Sequence, residues 1–181
     1  MTKVWRIEAF NPTSHDRRGF SCGIPTIDNY LKLTARKLVQ ANMVRLWVAV
    51  AKDHRVKGFY AINAHAVLAD DMPAPIAKKT ARHGYIPAAF IAMMGVDREC
   101  QGRGLGSILL ADALARIART ADDIGISVVL LDVFDCGDPE RIARRKVFYE
   151  AFGFRPLPSR PLRLFLPIAT IAAAIERAEA G

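Results

Sequence analysis

Met94-Gly95-Val96-Asp97-Arg98-Glu99-Cys100-Gln101-Gly102-Arg103-Gly104-Leu105-Gly106 is the stretch on which the fold turns. Just before and into it, Ala88 to Val96 is almost wholly apolar, the composition of a strand buried on both faces. From its end, Leu105 to Arg119 sets Leu110, Leu114 and Ile117 on one helical face, with Leu109 and Ala113 beside them. Gln101 to Gly106 therefore reads as a strand-to-helix turn. Glycines lack Cβ, so the backbone there can bend sharply and approach a ligand closely. A helix start leaves its first N–H groups unpaired at the positive end of the dipole. The combination suits an anion such as a pyrophosphate, with Arg103 adding a mobile positive charge. A tight turn without a ligand is one alternative, and a dinucleotide fold is another. The spacing Gly-Arg-Gly-Leu-Gly does not match Gly-x-Gly-x-x-Gly, and the turn lies in mid-chain. No Gly-Lys-Ser or Gly-Lys-Thr follows it, which excludes a P-loop.

Outward from the turn, the pattern alternates. Val4 to Ala9 predicts a first strand, and Asn11 to Gly23 a turn-rich connection. Thr26 to Gln40 predicts a helix, because Ile27, Tyr30, Leu31, Thr34, Ala35 and Leu38 recur at helical spacing. Val44 to Val50 and Val56 to Ala66 predict two strands joined at Lys52-Asp53-His54-Arg55 as a hairpin. Val67 to Pro87 holds Pro73, Pro75 and Pro87 with the basic pairs Lys78-Lys79 and Arg82-His83, and predicts a long loop with one helical turn. Further on come a strand at Ser127 to Phe134 and a helix at Glu140 to Phe152, capped by Gly153. Phe154 to Phe165 predicts one broken strand, and Ile168 to Ala178 a terminal helix entered through Pro167. This order is that of an α/β chain with a mixed sheet.

At 181 residues, 51% of them hydrophobic, the chain has the size and the core of one domain. Its net charge of +8 favours a polyanionic partner. The bases cluster at Arg141, Arg144, Arg145 and Lys146 and again at Arg155, Arg160 and Arg163. Cys22, Cys100 and Cys136 are dispersed, without metal-ligand spacing, which fits a reducing compartment and no metal. The N-terminus carries charge without an apolar run, and no apolar stretch is long enough for a membrane span. A cytoplasmic protein is expected.

The segment Met94 to Gly106, with Gln-x-x-Gly-x-Gly after an apolar strand, resembles the acetyl-CoA signature of the GNAT acetyltransferases. Phe148-Tyr149-Glu150-Ala151-Phe152-Gly153-Phe154 is similar to the ending of that family's last helix. The resemblance implies a single N-acetyltransferase domain over residues 1–181, with a central, mixed, mostly antiparallel twisted sheet flanked by helices and an added helix near 168–178. It implies that Met94, Gly95 and Val96 pair with the pantetheine arm, one N–H of that strand polarising the thioester carbonyl. It further implies that Gln101, Gly102, Arg103, Gly104, Leu105, Gly106 and Ser107 hold the rest of acetyl-CoA. Tyr149 is implied as the general acid for the leaving thiolate; apart from the resemblance it reads as an aromatic core residue of an amphipathic helix. No residue is singled out as the base: Glu150 and His65 read as surface or packing residues.

Phe20-Ser21-Cys22-Gly23, followed by Ile27-Asp28-Asn29-Tyr30-Leu31 and Ala35-Arg36, resembles the opening of the tRNA-acetylating toxin group. That likeness implies the α-amine of aminoacyl-tRNA as acceptor, an antitoxin protein as partner, a homodimer and no membrane. A small amine or a peptide N-terminus is the alternative acceptor. An acyl-CoA-binding sensor without turnover is the alternative from another class. Cys22, in a turn without an activating His, reads as a packing residue, so direct attack by the amine is the expected mechanism.

Overall fold

A computed structural model describes residues 5–79 and 84–180. Its strands are β1 (Arg6–Ala9), β2 (Arg45–Val50), β3 (Val56–Leu68), β4 (Tyr85–Val96), β5 (Val128–Asp132), β6 (Arg155–Leu157) and β7 (Arg160–Pro167). They hydrogen-bond in the order β1-β2-β3-β4-β5-β7-β6 as one seven-stranded sheet. Antiparallel pairing joins β1 to β2, β2 to β3, β5 to β7 and β6 to β7. The helices are α1 (Pro25–Asn29), α2 (Ala35–Gln40), α3 (Ala74–Ala77), α4 (Leu105–Ile124), α5 (Pro139–Glu150) and α6 (Ile168–Glu179).

Packing divides the chain into two compact units, one of residues up to 63 with 91–113, the other of 64–90 with 114 onward. In the first, α4 lies close on β3: a Cβ on Gly58 would come within 2.7 Å of Leu109 and 3.3 Å of Leu105. Tyr60, two residues on and on the same strand face, hydrogen-bonds Asp112 of α4. In the second, Val67, Met72, Ile86, Val128, Leu130, Leu157 and Phe165 form an apolar cluster.

Several expectations are refined. The helix expected over Thr26 to Gln40 is interrupted by a π-helical turn, Tyr30–Thr34, in which the Ala35 N–H reaches back to the Tyr30 carbonyl. The buried Ile27, Leu31 and Ala35 recur every four residues, a spacing an α-helix also gives, so periodicity could not show the turn. The long loop contracts, because β3 runs to Leu68 and β4 begins at Tyr85. Between them lie a 3₁₀ turn at Ala69–Asp71 and α3. Proline at 87 removes only a donor; its carbonyl still accepts from Ser127 N–H at 3.0 Å. Val4, Arg82 and His83 lie outside the described residues. α4 continues past Arg119 to Ile124, since Ala121 keeps its buried face going until Gly125 (φ +70°) ends it. The broken strand is a hairpin, β6 and β7; β6 is an edge strand, where Pro156 is tolerated.

Candidate active site

The main chain of the glycine turn supplies the first half of the site. Gly102 (φ +70°) and Gly104 (φ +81°) take left-handed conformations, and a Cβ on either would meet nothing within 4 Å. Glycine is needed there for its torsion, not for lack of room. The first α4 amide with a main-chain acceptor is Ile108, bonded to Gly104 O at 3.1 Å. Among the described residues, the N–H groups of Gly102, Arg103, Gly104, Leu105, Gly106 and Ser107 have no main-chain acceptor within hydrogen-bonding distance. Gly102, Arg103, Gly104 and Ser107 are exposed, and Gly106 is half-buried. Consecutive unpaired amides at the start of a 20-residue helix make an anion cradle that depends on no side chain.

Gln101 is placed differently. Its side-chain amide donates to Cys22 O and to Val96 O, both at 2.9 Å, and its own N–H is bonded to Asp97 O at 3.1 Å. It clamps the Phe20–Gly23 turn to the end of β4. Asp97, nearly fully buried, reinforces the clamp by accepting from Glu99 N–H at 3.1 Å and Ser21 N–H at 3.2 Å. Lys57 reaches Glu99 at 2.6 Å and Asp97 at 3.9 Å. The Glu99 hydrogen bond outweighs burial and raises the Lys57 pKa. On the other side of the turn, Asp28 accepts from Cys22 N–H at 2.7 Å and from Ser21 Oγ at 3.1 Å. Burial alone would raise the Asp28 carboxyl, but these bonds, led by Cys22 N–H, hold it below its usual value. Sequence reading missed this frame, although Asp97 two residues before Glu99 is an Asx-type cap signal.

Gly95 meets the frame from β4. A Cβ there would come within 2.9 Å of Ile27 and of Phe59 and within 3.3 Å of Phe20. Met94 and Val96, on the opposite strand face, are half-buried. Tyr30, at the head of the π turn, stacks on Phe59 with ring centroids 6.2 Å apart and planes at 11°. Its hydroxyl oxygen is buried without a hydrogen-bond partner, and so is Asn63 Oδ1. Burial raises the Tyr30 pKa. A buried polar atom left unpaired costs about 1–3 kcal/mol, so each such atom calls for an explanation.

Tyr149 belongs to the second unit and is described there. α5 starts at Pro139, with Asp138 accepting from Glu140 and Arg141 N–H at 3.1 and 3.2 Å. It ends at Gly153 (φ +94°), whose N–H bonds Glu150 O at 2.9 Å. Tyr149, on its last turn, is half-buried and meets the rings of Phe148 at 5.2 Å and Phe154 at 6.2 Å. Burial pushes its phenol up to about 12, so it stays protonated through the physiological range. Glu150 is exposed and pairs with Lys146, and His65 stacks on Phe90. Cys22 is buried, and burial pushes its thiol up to about 11, which suits packing and not nucleophilic attack.

The basic groups are partly spoken for. Arg163 makes two 2.7 Å bonds to Asp132 and lies over Phe90, and Arg155 lies over Phe165. Arg145 donates to Phe134 O at 3.2 Å. Arg141, Arg144 and Arg160 are exposed. Among the described residues, no helix is long and apolar enough to cross a membrane.

Residues 44–156 match the acetyltransferase (GNAT) domain. A glycine cradle after a buried strand and a Tyr-bearing helix later in the chain are what that match spans, and the chain belongs to the GNAT acetyltransferase family. Within it, the chain is 51% identical over 166 residues to a Sinorhizobium fredii protein named probable toxin TacT, covering 91% of this chain and 92% of that one. It is 36% identical over 155 residues to a tRNA-acetylating toxin of Mycobacterium tuberculosis, covering 83% of this chain and 85% of that one. The fold is that of AtaT complexed with acetyl-methionyl-tRNAfMet (TM-score 0.83, 20% identity, 95% of this chain and 99% of that one). A single-residue variant of KacT is equally similar (TM-score 0.84, 21% identity, 94% and 98%).

Proposed function

We propose that this chain is an acetyl-CoA-dependent N-acetyltransferase that acetylates the α-amine of aminoacyl-tRNA in the cytoplasm. The observation that carries the reading is the run of unpaired amides from Gly102 to Ser107, in a chain half identical to a TacT-type toxin over nearly its whole length. A net charge of +8 suits a tRNA acceptor through phosphate contacts. By likeness to AtaT, which has been seen bound to the C-terminus of the antitoxin AtaR, a small antitoxin is the expected partner. The chain works as one acetyltransferase domain, with α6 as an addition at its end.

Acetyl-CoA supplies an activated acyl thioester. The amides of Gly102 to Ser107 hold its pyrophosphate, and Arg103 adds charge from the turn. Gln101 acts on the donor indirectly, by fixing the end of β4. Main-chain groups of Met94, Gly95 and Val96 align the pantetheine arm, and an N–H of this strand takes the developing carbonyl charge. The acceptor nitrogen forms its bond to the carbonyl carbon as the carbon–sulfur bond breaks. Tyr149 gives the departing sulfur a proton, and the amine's surplus proton leaves to water. Tyr149 is kept protonated by burial, the state an acid must hold before it acts.

The test is acetylation of a panel of charged tRNAs by the purified chain, read by mass spectrometry of the released N-acetyl amino acids. Acetyl-CoA-dependent product is expected on at least one charged tRNA. Thiol release stimulated only by small amines would move the acceptor to that class. CoA binding with no stimulated release would reduce the chain to a binding protein. Expression should also be toxic, and Tyr149→Phe should abolish the toxicity.

A further inference from the structure

The two buried oxygens without partners, Tyr30 Oη and Asn63 Oδ1, lie in the same unit as the donor turn. Asn63 stands on β3, and Tyr30 packs on a residue of the same strand face. Gly58 and Tyr60 point to α4, so Phe59, Ala61 and Asn63 alternate to the opposite side. Tyr30 stacks on Phe59 from that side, and Phe59 Cε1 is 2.9 Å from where a Gly95 Cβ would stand. Thus Phe59, which carries the Tyr30 ring and shares its strand face with Asn63, adjoins the β4 segment assigned to the thioester. The π turn at Tyr30–Thr34 is a second irregularity at the same place. Such turns are uncommon in helices and recur at functional sites. Here it begins at the residue whose hydroxyl is left unpaired.

We propose that Tyr30 and Asn63 are the acceptor-reading residues of the site, a reading that rests on the acetyltransferase function above. Asn63 Oδ1 can only accept a hydrogen bond, so the ligand group that meets it carries N–H or O–H. Tyr30 Oη can accept from an amine or donate to a carbonyl. Together they fit the neutral end of an aminoacyl ester: an amine, an ester carbonyl and ribose hydroxyls. With the Asn63 amide in this orientation, a free carboxylate would meet Oδ1 with like partial charge. The chain should therefore discriminate aminoacyl esters and amides from free amino acids. Both oxygens are held ready at the expense of stability and are paired only when the acceptor is present.

The experiment compares the wild-type chain with Tyr30→Phe and Asn63→Leu. It measures kcat and KM for the charged tRNA, acetyl-CoA affinity and Tm. Each variant should lower kcat/KM for the acceptor about tenfold, one neutral hydrogen bond each, with acetyl-CoA affinity unchanged. Because each replaces an unpaired buried oxygen, Tm should stay level or rise. Unchanged kcat/KM in both variants overturns the proposal, and so does a loss of activity that tracks a lower Tm. Equal use of free amino acids and their esters overturns the carboxylate discrimination. If wild-type chain acetylates only a small amine, the tRNA reading fails, yet the same comparison on that amine still decides the roles of Tyr30 and Asn63. If no acceptor supports turnover in the wild type, the functional reading fails and this inference falls with it.

Discussion

Between Gly102 and Ser107 the groups open to a ligand are main-chain amides, whereas along Tyr30, Phe59 and Asn63 they are side-chain oxygens. The amide cradle needs only glycine torsions at Gly102 and Gly104 and a helix that starts on time. Almost any other residue could stand in it without changing what it binds. The oxygen row depends on which side chain stands at each place. In the proposed reading the donor is held by backbone and the acceptor is read by side chains. Tyr149 is on the side-chain half of this contrast, although it would serve the chemistry and not recognition.

The contrast breaks most sharply at Tyr149. Tyr149→Phe should lower kcat at least about 100-fold while leaving acetyl-CoA affinity within about twofold, because the acid is lost and the cradle is not. Isothermal titration and steady-state kinetics on the same preparation separate the two. The pH profile adds a sign. An acid works while protonated and fails as pH rises through its pKa, which burial has pushed up to about 12. With a hydrolysis-resistant amide-linked acceptor, kcat should show no falling limb below about pH 11. A falling limb near pH 10, the position of an ordinary phenol, would put the acid elsewhere or Tyr149 in water.

Gln101 sharpens the boundary between frame and ligand site. Gln101→Leu leaves the Cys22 and Val96 carbonyls without their 2.9 Å donor. The loss should be about 2 kcal/mol of stability, and Tm should fall by about 4–8 °C. If Tm holds and only acetyl-CoA affinity drops, the side chain touches the donor and is no clamp. Gly104→Ala probes the cradle itself. A residue with Cβ at φ +81° is strained by about 1–2 kcal/mol, and relaxing that strain turns the amides away. Acetyl-CoA should bind about tenfold more weakly. Gly125→Ala carries similar strain at the other end of α4, where φ is +70°, and should lower Tm without altering acetyl-CoA affinity.

These residues also mark how far sequence could be read. Ala88 to Val96 and the Leu-rich face after Leu105 announce a buried strand and a helix, and glycines between them can only be a turn. That much of the site was legible because its chemistry is main-chain. The clamp of Gln101 was not, since a glutamine beside a glycine turn looks the same whether it bonds a ligand or the carbonyls of Cys22 and Val96. Nor was the Tyr30 hydroxyl: whether an oxygen is buried depends on Phe59, distant in sequence, and the four-residue spacing of Ile27, Leu31 and Ala35 reads as α-helical with or without the π turn. The extra lengths of β3 and β4 were hidden by Pro73, Pro75 and Pro87, which read as loop although Pro87 keeps its acceptor in the ladder. Hairpin β6–β7 was hidden in the same way by Pro156, Pro158 and Pro161.

The three thiols carry the contrast between frame and open surface to its smallest effect. Cys22 is part of the clamped turn, buried, with its thiol pushed up to about 11, first by burial. Cys100 ends the 3₁₀ turn after Asp97 and is almost fully buried. Cys136 is half-buried before α5, with the Arg145 guanidinium 3.3 Å from its sulfur. A main-chain hydrogen bond at Asp138, then Arg145, hold its thiol below the usual value. Thiolate is the reactive form, so Cys136 should take iodoacetamide first at pH 7.5, with Cys22 and Cys100 labelled only on unfolding. Peptide mapping after timed labelling reads the order. Since Cys22 rests on the Gln101 clamp, Gln101→Leu should advance Cys22 labelling and leave Cys136 as it was. If Cys22 stays protected in that variant, Asp28 and Asp97 hold the turn without glutamine, and the frame is more redundant than its hydrogen bonds suggest.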